Sequence, residues 1–442
     1  MTAKEEQNRY YVETFGCQMN VNDSERVAGL LEADGWHAAD SPGAADFVFI
    51  NTCAVREKAS EKLYSALGRL RELRSAKPEL RVGVGGCVAQ LHGEEILDRA
   101  PELALLVGTH NVARVPELLR DQARDGRVRI DLDRGADSFT VAPQHVAHGN
   151  PYRAYVTVME GCNHVCSFCV VPRTRGTEVC RDPHQIVAEV QALVERGVPE
   201  VMLLGQTVNA YRHSGVDFVE MLARVAAVPG LCRLRFTTSH PSHMTAAVAR
   251  SLGQIDNLCP YIHLPVQSGS DRVLAEMRRG YTRSDYFAIV ESLRDAIPDL
   301  SISSDVIVGY PGETESEFEE TLSLVEECRF EGLFVFTYSP RPGTTALRLD
   351  DDVPDVEKLR RLKLLNDFQQ RRQASENKTR VGRQDCLLVE GRGSDGRLFG
   401  RTPQFRICHV DGDDGLLGKL VDVEITEAGA NSLRGRVLST AH

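Results

Sequence analysis

EGCNHVCSFCVVPRTRG, residues 160–176, follows directly on the apolar run RAYVTVM at 153–159. A strand that opens into this loop carries Cys162, Cys166 and Cys169 in the spacing CxxxCxxC. Structural zinc takes four ligands, often as two separated Cys-x-x-Cys pairs. Three thiolates on one short loop instead suit three corners of a [4Fe–4S] cube. The fourth iron then stays open, and an open metal position is where chemistry happens. The alternative is a zinc site completed by His164 or Cys180. His164 sits between two of the ligands, where reaching the same metal is cramped. Cys180 lies well past the loop and also reads as a small buried hydrophobe.

Working outward, residues 151–345 alternate strand and helix patterns. Six strands are expected, at 154–159, 200–204, 232–236, 260–264, 301–308 and 332–337. The helix after the first carries Ile186, Val187, Val190, Leu193 and Val194 on one face, with Gly197 just past its end. Six successive βα units predict a partial or complete barrel whose functional loops lie at the carboxyl ends of the strands. Residues 10–121 show the same alternation. YYVETFG (10–16), DFVFINT (46–52), RVGVGG (81–86) and ALLVG (104–108) read as strands, and DSERVAGLLEADG (23–35) as a helix. This predicts a parallel sheet covered on both faces, flavodoxin- or Rossmann-like. Residues 122–150, rich in Asp, Arg, Gly and His, break the pattern and read as a linker. Past 384, five short β-rich runs separated by Gly and Asp predict a small β-barrel. The fold class is α/β, and the expected division is 8–124, a linker at 125–147, a central unit at 148–378 and an all-β unit at 379–442.

The chain has 442 residues, 42% hydrophobic and 26% charged. This composition excludes whole-chain disorder. No run of apolar residues is long enough for a membrane helix, and MTAKEEQNRY has no apolar signal core. A cytoplasmic protein with no membrane partner is expected, and three domains with no coiled-coil heptads suggest a monomer. In reducing cytosol the twelve cysteines point to metal or redox chemistry rather than disulfides. The net charge of −11 removes bulk attraction to nucleic acid, so any RNA must be held by a local basic patch. One candidate is the helical stretch 354–380. Residues 353–383 hold nine Lys/Arg against four Asp/Glu, with Arg371, Arg372, Lys378 and Arg380 as phosphate candidates or a solvated helix face. Arg173 and Arg175, beside the cysteine loop, read as substrate contacts or as ordinary loop salt bridges.

Three further cysteines follow the first three strands of the amino-terminal unit: FGCQMN (Cys17), NTCAVREK (Cys53) and GGCVAQ (Cys87). No local metal motif links them. If those strands are adjacent and parallel, all three thiols emerge at one sheet edge, where helix N-termini favour thiolate. Otherwise they are three unconnected strand-end cysteines.

CxxxCxxC with Phe168 before its last cysteine resembles the radical S-adenosylmethionine superfamily. The three preceding cysteine motifs, in this order, look like its methylthiotransferase family, and the likeness spans essentially the whole chain. LLGQTVNAY, RFTTSHP, HLPVQSGSD, ISSDVIVGYPGET and PGT add to it. The resemblance implies two [4Fe–4S] clusters, one on Cys17, Cys53 and Cys87 that holds sulfur on its open iron. The other, on Cys162, Cys166 and Cys169, would be chelated by S-adenosylmethionine and cleave it to a 5′-deoxyadenosyl radical. All six cysteines would thus be catalytic. It also implies that Phe168, Gly205, Gln206, Asp305, Gly309, Gly312 and Glu313 approach S-adenosylmethionine; taken alone, each glycine reads as a turn former. Cys180, Cys232, Cys259, Cys328, Cys386 and Cys408 match no ligand position and read as packing residues. The carboxyl-terminal barrel would be the RNA-binding TRAM domain. The implied reaction replaces C2–H of N6-dimethylallyladenosine at position 37 of a tRNA anticodon loop with S–CH3, one S-adenosylmethionine supplying the methyl group and a second the radical, with separate electron and sulfur donors as partners. A related methylthiolation, of threonylcarbamoyl-adenosine or a ribosomal protein, and a non-catalytic iron–sulfur RNA-binding protein are the rival readings.

Overall fold

The computed structural model describes residues 8–54, 57–134 and 146–440. Its first sheet has six parallel strands: β1 (Arg9–Phe15), β2 (His37–Ala38), β3 (Phe47–Thr52), β4 (Arg81–Gly85), β5 (Leu105–Val107) and β6 (Arg129–Asp131). Their order is β2-β1-β3-β4-β5-β6. FVFINT of β3 is buried on both faces, as helices on each side of a parallel sheet require. The sheet runs past the expected linker boundary: Arg129, Ile130 and Asp131 pair with β5. RVRID was masked in the sequence by its charged neighbours. Residues 135–145 of the expected linker lie outside the described residues.

The central unit contains β7 (Arg153–Thr157), a two-strand hairpin of β8 (Met159–Glu160) and β9 (Val179–Cys180), then β10 (Glu200–Leu204). A second hairpin, β11 (Arg212–His213) with β12 (Val216–Asp217), precedes β13 (Arg233–Thr237), β14 (Tyr261–His263), β15 (Ser301–Val308) and β16 (Gly332–Thr337). Strands β7, β10 and β13 form one parallel ladder, and β14, β15 and β16 another. The bridge Leu234–Leu258 joins the two. No ladder joins β16 to β7 among the described residues, so the barrel is partial. All six strands fall where the alternation places them. Ile186, Val190 and Leu193 are buried between helix and strands. The long helix Asp355–Lys378 buries Arg361, Leu365 and Gln369.

The carboxyl-terminal strands β17 (Gln384–Arg392), β18 (Leu398–Arg401), β19 (Ile407–Val410), β20 (Leu420–Ala428) and β21 (Leu433–Thr440) close a barrel in the order β17-β18-β19-β21-β20. Phe405, between β18 and β19, stacks on Tyr261 at 4.9 Å and lies 4.9 Å from the Arg235 guanidinium. Arg235 donates to the carbonyls of Thr402 and Pro403. Its charge is matched by Glu200 at 3.0 Å. The small barrel is therefore seated on the large one by a buried polar network. Among the described residues no helix is long and apolar enough to cross a membrane.

Candidate active site

Cys17, Cys53 and Cys87 follow β1, β3 and β4, which are neighbours in the sheet and end nearly flush, with Phe15 opposite Thr52 and Asn51 opposite Gly85. Cys17 caps the helix Gln18–Ala33 and Cys87 begins the helix Cys87–Arg99, so two thiols sit at positive helix ends. Cys53 is buried between them. The close approach depends on Gly16, where a Cβ would lie 2.9 Å from that of Cys53. The Cys17 thiol is pulled down to about 6, chiefly by its hydrogen bond with Cys53, with help from Arg175. Burial pushes Cys87 upward against the pull of Arg175.

The helix that begins at Cys17 starts earlier than its apolar pattern indicates. Its first turns carry Asn20, Asn22, Asp23, Ser24 and Arg26, all buried. Asn20 and Ser24 bond Asn51 of β3, whereas Asn22, Asp23 and Arg26 face the barrel. Thr157 Oγ1 donates to Asn22 Oδ1 at 2.8 Å, and Asn22 Nδ2 to the Tyr155 carbonyl at 3.2 Å. Arg26 pairs with Glu160, and Arg175 with Asp23 at 2.5 Å, both ends of the latter pair almost fully excluded from water. One helix thus joins the first thiol set to β7 and to the loop that carries the second. Arg175 is tied into this interface rather than presented to solvent. Arg173 packs its guanidinium against Gly343.

In the second set, Cys162 Sγ lies 3.3 Å from Thr207 Oγ1, and Cys166 Sγ accepts from Arg279 Nη1 at 3.4 Å. The Cys169 amide donates to the Cys166 carbonyl at 3.1 Å, fixing the turn. Gly161 has φ +76°, and a Cβ there would stand 2.0 Å from the Thr177 carbonyl oxygen. Burial pushes the Cys162 thiol up and that of Cys169 up to about 12. Such thiols ionise only against a strong positive charge, as a coordinated metal supplies. Neither residue expected to complete a zinc site joins them. His164 stacks on His240 at 3.9 Å and places Nε2 3.0 Å from that of His243. Cys180 Sγ accepts from the Arg212 amide. Among the described residues no three His, Cys, Asp or Glu side chains converge on one ion. A cube bound by one thiolate per iron has no need of such convergence. The donor set in both places fits a cluster.

The other predicted residues lie on the cysteine loop, just after β10, and on or just after β15. Phe168 packs with Tyr310 and Tyr338. Gly205 ends β10 beneath Met159. Gln206 has a buried Oε1 without a protein partner. Asp305 lies on β15, 3.4 Å from His263 Nε2. Gly309 and Gly312 take φ of +70° and +74° in the turn after β15. The Glu313 carboxylate is held by the Gly309 amide and by Arg361 at 2.8 Å, which gives it a structural partner. On the basic helix Arg372 donates to the Glu326 carbonyl, and just past its end Arg380 pairs with Asp299, which removes both as free phosphate contacts. Arg371 and Lys378 are exposed. Sequence reasoning missed Asp23, Arg26, Glu160, His240, His243 and Arg279. No apolar period or ligand spacing marks them.

Residues 9–108 match the family model described as Uncharacterized protein family UPF0004, 156–325 the Radical SAM superfamily and 378–438 the TRAM domain. The tRNA-2-methylthio-N(6)-dimethylallyladenosine synthase of Chromobacterium violaceum is 44% identical over 98% of this chain and 99% of its own. That of Geobacter sulfurreducens is 45% identical over 98% of each. Among solved structures, the radical S-adenosylmethionine methyltransferase TsrM of Kitasatospora setae, with cobalamin and a [4Fe–4S] cluster bound, aligns with a TM-score of 0.54 at 14% identity, covering 77% of each chain. That likeness supports the fold. With near full-length identity to these relatives, and with all three family models in order along it, the chain belongs to the tRNA-2-methylthio-N(6)-dimethylallyladenosine synthase family.

Proposed function

We propose that this chain methylthiolates C2 of N6-dimethylallyladenosine at position 37 of tRNA, with Cys162, Cys166 and Cys169 holding one [4Fe–4S] cluster and Cys17, Cys53 and Cys87 a second. The observation that carries this is the docking of the Cys17 helix onto the strand leading to Cys162, through Asn22–Thr157 and Asp23–Arg175. Two thiol sets joined this rigidly suit one reaction. An aromatic C–H offers proton chemistry no handle, so the cofactors carry the hard step. When bound, the clusters supply reductive cleavage of S-adenosylmethionine and a sulfur atom for insertion.

The chain's own residues bind and orient. Gly205, Gln206, Asp305, Gly309 and Gly312 are assigned to the S-adenosylmethionine side of the mouth, supported by the unpartnered Gln206 oxygen. Glu313 is assigned there through the turn it braces. Phe168 supports the loop from behind. The barrel closed by β17–β21 is assigned to the anticodon arm, whose splayed bases and phosphates are what proteins read in RNA loops. The working units are 8–131, 148–378 and 379–442.

Substitution separates the two roles. Cys162→Ala is expected to abolish S-adenosylmethionine cleavage. Cys17→Ala is expected to retain cleavage and lose sulfur insertion, read as 5′-deoxyadenosine formed without thiolated nucleoside. Full modification by both variants would contradict the assignment.

A further inference from the structure

The buried arginines of this molecule are matched to carboxylates: Arg175 to Asp23, Arg181 to Glu189, Arg235 to Glu200 and Arg361 to Glu313. Arg279 is the exception. It is 6% exposed, and among the described residues it forms no carboxylate ion pair. Its Nε donates to Tyr281 Oη at 2.9 Å and Nη2 to the Pro265 carbonyl at 2.9 Å. Its remaining nitrogen, Nη1, donates to Cys166 Sγ at 3.4 Å. A guanidinium taken out of water needs a counter-charge. The nearby imidazoles cannot supply it, because His164, His240 and His243 are cationic or neutral and never negative. Among the described residues, the sulfur of Cys166 is the one group Arg279 contacts that would carry negative charge when bound to a cluster.

The contact is held from both sides. Arg278 and Gly280, flanking Arg279, take φ of +57° and +73°, a tight reversal after the helix Asp271–Glu276. The Met277 carbonyl at the start of this reversal accepts from the Ser167 amide at 3.1 Å. Ser167 Oγ in turn meets Tyr310 Oη at 2.9 Å. The turn and the cysteine loop are therefore fastened to each other beside Cys166.

We infer that Arg279 is a positioning residue that orients Cys166 Sγ toward the cluster and raises that cluster's reduction potential. This rests on the assignment of Cys162, Cys166 and Cys169 made above. Reduction adds an electron to an already anionic cluster. A fixed cation and a hydrogen bond at one thiolate favour the reduced form, and such contacts to sulfur are among the main controls of cluster potential.

The test is an anaerobic redox titration of the full chain, both clusters reconstituted, followed by electron paramagnetic resonance. The wave of interest is the one whose signal changes on adding S-adenosylmethionine. In R279Q this wave is expected to move to more negative potential, with at least a tenfold change in the oxidised-to-reduced ratio, about 59 mV for one electron. R279K keeps charge without the planar fork, so a smaller negative shift is expected, and the other wave should stay in place in both variants. An unmoved wave in R279Q, or a shift in R279K as large as in R279Q, would overturn the inference. Should R279Q fail to hold the cluster, R279K alone decides: a negative shift supports the role and any other result overturns it. Absence of a wave sensitive to S-adenosylmethionine in the unsubstituted protein would instead sink the functional reading itself.

Discussion

Asp23→Ala removes the carboxylate that faces Arg175 across the interface between the first sheet's unit and the barrel. The pair spans 2.5 Å, with side chains 1% and 2% exposed, so water cannot take over the lost contact. Stranding one member of a buried ion pair costs about 3–5 kcal/mol. At roughly 2–4 °C per kcal/mol for a unit of this size, the affected transition should fall by about 6–20 °C. Calorimetry of the cluster-free chain under anaerobic conditions reads this directly, comparing the amino-terminal transition because several domains need not melt as one. The decisive control is the double variant Asp23→Leu with Arg175→Met, which leaves no stranded charge. It should recover most of the loss, since apolar replacement of a buried pair is often neutral. The reasoning is refuted if Asp23→Ala moves the transition by less than about 2 °C, under 1 kcal/mol on the same scale, or if the double variant costs the sum of its parts.

Three further outcomes are expected. Gly161→Ala forces a left-handed residue to carry a Cβ against the Thr177 carbonyl; iron analysis should show loss of the cluster on Cys162, Cys166 and Cys169, with that on Cys17, Cys53 and Cys87 retained. Glu317 is held down to about 2, first by its hydrogen bond with Arg272. A depressed carboxyl contributes stability that is present above its ordinary value of 4.5 and lost as pH falls toward 2, so Glu317→Gln, which keeps the capping role, should flatten the acid limb of the pH–stability curve. Phe405→Ala vacates the contact with Tyr261 and Arg235, at a cost of about 0.5–1.5 kcal/mol for the lost aromatic pair, and should speed tryptic cleavage near Arg380 and Arg383 while leaving the strands of the small barrel folded.

The barrel, its six strands and both cysteine sets were legible because each leaves a local mark: alternation, a Gly stop, a thiol at a strand end. The adjacency of β1, β3 and β4 brings three distant cysteines to one sheet edge, as the parallel-sheet reading requires. What the sequence concealed was the polar interface. Helix Gln18–Ala33 buries Asn22, Asp23 and Arg26 where an apolar face would normally be sought, and its apolar pattern marks a helix only from Asp23, five residues after its start. β6 was hidden in the same way, its three residues flanked by charge. Arg372 and Arg380 looked like free cations because their partners, the Glu326 carbonyl and Asp299, lie 46 and 81 residues away in the chain.

The central claim is the reaction, and the measurement that meets it most directly is mass spectrometry of digested tRNA nucleosides. The protein, with both clusters reconstituted, is incubated anaerobically with reductant, sulfide, S-adenosylmethionine and tRNA bearing N6-dimethylallyladenosine. The account predicts the 2-methylthio nucleoside, formed together with 5′-deoxyadenosine and absent with Cys17→Ala. Protein shown to hold both clusters that leaves this nucleoside unchanged would contradict it.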